Sequence, residues 1–431
     1  MKRPRKYACW NTVSRLLLTL LCAGAMVSFV VTSAGAQTFS SGSTGADGAF
    51  NPACTPPATD CTVTVNLPAS GIFNYTTVNI PFGVTVTYTR NAANTPVTIL
   101  ATGDVTISGR IFVNGEVPGP SNSPGRGGPG GFDGGMGGSP GLTPNGTPGL
   151  GPGGGQGGTP TTTNGLGGTG GFGTPGADSG GPNLGGPAYG TPTLLPLIGG
   201  SGGGGTASIA GSIGAGGGGG GGAILIASSA TITIAVTPFP GGGTTAGEIA
   251  AEGGTTGFNN TANGSGGAVR LVAARIAGGG TISARGGDFG SRGMGRIRLE
   301  AFVMAFTGST FTAPSIGEPR PLTPTANFPS LKITSVGGIS APPTPQGTFL
   351  APPDIALSPS QTNPVTVNLV ATNVPVGTIV SVSVTPEGGT RTSTNSTPLS
   401  GTLANSTATA TVTLPNGTCV INAEAAFATG P

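Results

Sequence analysis

Histidine is absent from this 431-residue chain, charged residues make up 7% of it, aromatic residues 5%, and tryptophan occurs once. Without histidine there is no base for a serine or cysteine relay. The serine-elbow spellings Gly199-Gly200-Ser201-Gly202-Gly203 and Gly137-Gly138-Ser139-Pro140-Gly141 are therefore read as by-products of glycine richness. No glycine run ends in the Gly-Lys-Ser/Thr that cradles phosphates, so a nucleotide loop is excluded too. A structural zinc site takes four soft ligands, and the three cysteines beyond residue 36 do not supply them. So low a charge content is far from the roughly 25% of an ordinary globular enzyme.

What replaces these residues is glycine (85) and proline (40), together more than a quarter of the chain. Both oppose helix. The net charge is only +3, which does not fit an ordinary disordered chain either. An all-β chain combined with glycine-rich sequence is expected.

Residues 1–36 read as a secretory signal peptide. Lys2, Arg3, Arg5, Lys6 and Arg15 precede an apolar run from Leu16 to Val31, and Ala34-Gly35-Ala36 offers a cleavage site. The run is short for a membrane span, so no transmembrane segment is expected once it is removed. Removal takes five of the 17 basic residues and none of the 14 acidic ones, leaving a formal charge of −2. The basic character belongs to the leader, and nucleic acid is not an expected partner. In an exported chain Cys54 and Cys61, seven residues apart, are expected to form a disulfide, with Cys419 left over.

Aliphatic residues recur in phase. Val78 and Ile99, Val84 and Val105, and Val86 and Ile107 are each 21 residues apart, with polar residues between. A motif Gly-x-Ile-x-(Val/Ala)-x-Gly runs over 109–115, 247–253 and 280–286, with a degenerate copy from Gly308. A second strand type precedes it at Ile99, Ile224, Val269 and Ile297; Val269 to Gly280 and Ile297 to Gly308 both span 11 residues. Period-2 alternation within a longer repeat predicts stacked short strands, most simply a parallel β-helix-like solenoid. Its inward columns would hold Ile99, Ile224, Val269 and Ile297, and Ile111, Ile249 and Ile282.

The expected organisation is a signal peptide (1–36), N-terminal solenoid coils (37–115), a glycine-rich insertion (116–222), C-terminal coils (223–313), a proline-rich linker (314–353) with a short strand near Leu331 to Val336, and an immunoglobulin-like β-sandwich (354–431). The sandwich is read from the alternating runs at Val365, Val380, Ala408 and Cys419. The insertion lacks a Gly-X-Y period, so it is either a flexible loop or extended glycine strands bonded through their backbones, anchored by Phe132, Met136, Leu142, Leu150, Leu166 and Phe172.

Among outward positions, Glu252 and Arg285 coincide in successive copies and predict a surface ion pair. Arg270 and Arg298 also coincide, with Glu300 placed to ease their repulsion. Arg270, Arg285 and Arg298 are the candidate glycan-facing residues on an otherwise solvated face. Thr85, Thr87 and Thr89, with Thr106 one 21-residue period on, suggest a flat hydroxyl column, which also simply suits strand surfaces. Asp47, Asp60 and Asp133 lie in turns that could assist calcium, without regular acidic spacing; turn capping is the simpler role. No catalytic or cofactor-binding residue is assigned. The scattered Asp104, Glu116, Glu248, Glu252, Asp288 and Glu300 form no recognisable glycosidase pair.

The opening Phe39-Ser40-Ser41-Gly42-Ser43-Thr44-Gly45-Ala46-Asp47-Gly48-Ala49-Phe50-Asn51-Pro52, with Ile80-Pro81-Phe82-Gly83-Val84-Thr85-Val86 and Gly103-Asp104-Val105-Thr106-Ile107-Ser108-Gly109, resembles uncharacterised glycine-rich exported bacterial proteins over about residues 38 to 312. More loosely the chain is similar to β-solenoid adhesins. The resemblance implies export and a surface or secreted location, but no activity. The expected function is that of a non-catalytic structural or adhesion protein whose partners are envelope or extracellular glycans or other surface proteins. The alternative class is a polysaccharide lyase or hydrolase on a β-helix.

Overall fold

The computed structural model describes residues 37–55, 60–141, 143–178, 181, 184–238, 244–256, 262–287, 292–320, 322 and 329–427. The expected signal peptide, Leu142 and Asp288 lie outside them. The protein is all-β, with 36% strand and 1% helix. Among the described residues no helix is long and apolar enough to cross a membrane.

Two parallel sheets face one core. In the six-stranded sheet Cys61–Asn66, Val84–Thr89, Arg110–Phe112, Glu248–Ala250, Thr281–Ser283 and Ser309–Thr310 lie side by side in chain order. The eight-stranded sheet runs Ser315–Gly317, Arg296–Phe306, Ala268–Gly278, Ala223–Ile234, Val97–Ala101 and Ile72–Tyr75, with Val78–Ile80 and Val105–Ile107 paired beside it. From Ala223 to Gly317 the chain crosses repeatedly from one sheet to the other, apart from the hairpin Val236–Pro238 and Thr244–Ala246. Side chains alternate across each strand, so every second aliphatic enters the same core. Each such residue contributes about 1.5 to 3 kcal/mol.

The column Ile111, Ile249, Ile282 stands in register as expected. The other column is shifted: Ile224, Val269 and Ile297 pair, but Val97, not Ile99, pairs with Ile224, and Ile99 pairs with Ile226. A two-residue slip keeps every side chain on its face, so alternation alone does not fix it. The 21-residue pairing is replaced for the same reason. Val78 pairs with Val105, Phe73 with Ile99 and Val86 with Ile111, and Val84 and Val105 belong to different sheets.

Between Phe112 and Ala223 the described chain contains no strand and one 3-10 turn, Thr163–Gly165. It is nevertheless ordered through its backbone. The amides of Phe132, Gly135 and Gly138 donate to the carbonyls of Gly200, Gly203 and Thr206, and the amides of Gly214, Gly217 and Gly220 donate to the carbonyls of Gly138, Gly135 and Phe132. Bonds recurring every third residue are the repeat of an extended three-residue-per-turn helix, whose amides and carbonyls all point sideways. Segment 199–207 is bonded to six neighbours: 132–138, 147–150, 155–158, 165–168, 215–221 and Ser265.

Such close packing has no room for side chains. A methyl group on Gly203, Gly204 or Gly205 would lie 1.9–2.0 Å from a neighbouring carbonyl oxygen. Of the expected anchors, Phe172 and Leu150 are fully buried, whereas Phe132, Met136 and Leu166 are half-buried. Phe172 packs on Tyr189 and, with Leu194, sits against Ala223 and Ala268 of the eight-stranded sheet.

The C-terminal region is antiparallel. One sheet orders Ile339–Ser340, Ser330–Val336, Val365–Thr372, Asn405–Val412 and Ser400–Thr402; the other orders Thr392–Asn395, Val380–Pro386 and Cys419–Ala425. They share a Val- and Ala-rich core. Ser330–Val336, expected within the linker, is a full member of the first sheet through its bonds to Val365–Thr372. This region grips the glycine segments: Arg391 donates to the carbonyls of Gly149 and Gly151, and Thr147 Oγ donates to the carbonyl of Glu387 at 2.9 Å.

Candidate functional site

The outer face of the six-stranded sheet carries a regular array of polar side chains. Parallel pairing puts Thr62 beside Thr85, Thr64 beside Thr87, and Asn66 beside Thr89. The Thr64 and Thr87 hydroxyls are 3.2 Å apart, and Thr89 Oγ donates to Asn66 Oδ1 at 3.0 Å. The next strand places Arg110 beside Thr85 and Phe112 beside Thr87. Thr106 is not in this column: it pairs with Asn79 and Thr233 in the other sheet.

Further along, the face becomes ionic. Arg110 pairs with Glu248 at 3.7 Å and Arg285 with Glu252 at 3.0 Å, the latter as the motif alignment predicts. Ser283 Oγ donates to Glu252, and the Arg285 guanidinium lies 4.1 Å over the Phe311 ring. Burial, with Glu252 nearby, raises the Glu248 pKa, and Arg110 and Arg285 pull it back. Both glutamates are engaged by arginines. Arg110 and Phe311 were not singled out in the sequence, although Arg110 was legible: Gly109-Arg110-Ile111 and Gly247-Glu248-Ile249 are the same motif position.

Of the three candidate glycan-facing arginines, only Arg285 lies on this open face. Arg270 and Arg298 are corrected to buried residues, 4% and 8% exposed, on the outer side of the eight-stranded sheet. Both point away from the core, as their phase between Val269 and Leu271 and between Ile297 and Leu299 requires. A second apolar layer built by Phe39, Leu197 and Leu322 over Leu225, Ala227 and Val272 encloses that face. Arg275 and Arg292 stay exposed, and Arg296 is tied to the Tyr189 carbonyl.

Cys54 and Cys61 form the expected disulfide at the start of the first strand, with Cα atoms 5.6 Å apart. Cys419 is a free thiol whose pKa is pushed up by burial. Asp133 is buried and surrounded by donors: Arg90, the amide of Gly127 and the Thr348 hydroxyl. A cation there would face N–H and O–H groups, so Asp133 is a structural acceptor rather than a calcium ligand. Asp47 accepts from the amide of Asn74 and Asp104 from that of Thr231, while Asp60 is exposed. Among the described residues no three His, Cys, Asp or Glu side chains gather into a metal-sized group. The Ser201 hydroxyl is buried, accepts from the Gly153 amide and bonds the Tyr189 hydroxyl, so Ser201 is not an accessible nucleophile.

A cavity of about 660 Å³ opens where the antiparallel sheets meet the glycine segments, beside Arg90, Thr348, Asp354 and Cys419. Its charges are satisfied, Arg90 by Asp133 and Asp354 by the amides of Gln346 and Gly347. Comparison with protein-family models, with curated proteins and with solved structures gives no match to this chain.

Proposed function

We propose that the protein is an exported, non-catalytic surface or extracellular protein that binds extended glycans through the outer face of its six-stranded sheet. In this reading the two parallel sheets are the walls of a β-solenoid, the C-terminal sheets are an immunoglobulin-like sandwich acting as a spacer, and the bonded glycine segments stiffen the junction between them. The observation that carries the reading is the Thr62/Thr85, Thr64/Thr87 and Asn66/Thr89 array. Hydroxyls held at the roughly 4.8 Å strand spacing form a rigid row that needs little ordering when a ligand binds. Phe112 and Phe311 add apolar surface on the same side, and the ion pairs beside them suit acidic or amide-bearing sugars. Export is supported by the leader-like sequence of residues 1–36 and by the disulfide.

The test is co-sedimentation of the purified protein with insoluble polysaccharides, neutral and acidic, together with an assay for new reducing ends or unsaturated products. Binding without turnover, lost when Thr64 and Thr87 are both replaced by Glu, is the expected result. Turnover would favour the lyase or hydrolase class, and retention of binding by the double variant would remove this face from the account.

A further inference from the structure

We infer that Arg270 and Arg298 form a binding site for one small oxyanion, a carboxylate or sulfate group, on the covered side of the eight-stranded sheet. The inference is independent of the glycan-binding face. Arg270 and Arg298 stand side by side in register on adjacent strands, about 4.8 Å apart, and Glu300 follows two residues after Arg298. Glu300 is saturated. Its Oε1 accepts from Arg270 Nε and Arg298 Nε, both at 3.1 Å, and its Oε2 accepts from Arg270 Nη2 at 3.2 Å and the amide of Arg320 at 3.3 Å. Four donors fill the lone-pair directions of one carboxylate.

The charges do not balance. Two guanidiniums share one carboxylate, and all three residues are less than a tenth exposed. No other carboxylate among the described residues reaches either arginine. Arg296, which pairs with Ala268 in the same register, is bound to the Tyr189 carbonyl and brings no negative charge. The surplus positive charge is only partly solvated, which favours an anion beside it.

The donors that would hold a neutralising group are present. Arg270 Nη1 and both Nη atoms of Arg298 have no hydrogen-bond acceptor among the described residues. Their side chains keep 5% and 10% of their surface open, so a small solute can reach them. Gly317 accommodates the guanidinium itself: a Cβ there would lie 2.3 Å from Arg298 Nη2, so a side chain would displace Arg298. Planar guanidinium forks suit the two-oxygen edge of a carboxylate or sulfate.

The experiment is calorimetric titration of the protein with sodium sulfate, with sodium acetate and with a glucuronic-acid oligosaccharide, at constant ionic strength made up with sodium chloride. One saturable site for sulfate or acetate is expected, accompanied by a rise in melting temperature. Arg298→Met should weaken it at least tenfold, while Arg292→Met, at an exposed arginine, leaves it unchanged. Arg298→Met retains a one-to-one Arg270–Glu300 pair, so it should fold and melt no lower than the parent in anion-poor buffer; Arg298→Gln serves as a second variant. Binding of sulfate or acetate alone identifies a free anion as the ligand, and oligosaccharide binding that Arg298→Met weakens in the same proportion identifies a glycan acid. The absence of saturable binding to the parent protein, or undiminished binding to both Arg298 variants, would overturn the inference.

Discussion

The parallel sheets and the glycine segments between them solve the same problem with opposite materials. In the sheets, aliphatic columns such as Ile111, Ile249 and Ile282 exclude water and the backbone bonds run along strand edges. In residues 113–222 there is little side chain to bury, and the backbones themselves are the packing units, bonded sideways every third residue. One region is specified by what its side chains are. The other is specified by their absence.

The comparison can be broken or sharpened by substitution. The largest effect should come from Ile282→Asp, which places an unpaired charge in a dry column; a loss of roughly 5 kcal/mol, enough to unfold the parallel sheets, is expected by circular dichroism. Arg292→Ala, at an exposed position ten residues later, should stay within about 0.5 kcal/mol, and equal melting of the two variants would show the register to be wrong.

Next is Gly204→Ala. Its methyl would meet the Gln156 carbonyl at 2.0 Å, and a cost of about 3 kcal/mol is expected. Ile249→Val, a change inside the aliphatic column, should cost only about 1 kcal/mol. If chemical denaturation ranks these two in the reverse order, the glycine segments are not close-packed.

Reduction of the Cys54–Cys61 disulfide opens a short loop at one end of the six-stranded sheet. A loss of about 2.5 kcal/mol is expected from the chain-entropy relation, read as a lower melting temperature with dithiothreitol. The glycine segments, which carry no disulfide, should keep their slowly exchanging amides.

The smallest effect is pH dependence, and it belongs to the strand regions. Burial raises the Glu248 pKa in the fold above its unfolded value. The folded state therefore holds that proton longer, so the Glu248 contribution is fully present below the unfolded pKa and is lost as pH rises through the folded one. Glu248→Gln should flatten stability against pH in that window, measured by melting between pH 4 and 7, conditions set around the ordinary carboxylate value. An unchanged slope would mean that Glu248 is not desolvated on this face.

Much of the strand architecture was readable. The Gly-x-Ile motif located successive strands of one sheet, the 11-residue phasing located their partners in the other, and Glu252 met Arg285 as alignment of the copies requires. The 21-residue spacing misled because alternation has period two: strands of different sheets look alike, and a slip of two residues costs no change of face. The hydroxyl column was half legible. Thr85 and Thr87 were found, but their partners Thr62 and Thr64 lie beyond the disulfide loop, where no motif repeats.

By itself the sequence determined that this chain has no histidine chemistry, that it is built of strands, which aliphatics are hidden, and where glycine takes over, because periodicity and backbone freedom are local properties. Only the tertiary structure decided whether the glycine region is ordered and which outward residues meet water. A glycine amide carries no mark of the distant carbonyl it will bond, and an outward arginine such as Arg270 is buried or free according to whether Phe39, Leu197 and Leu322 arrive to cover its sheet.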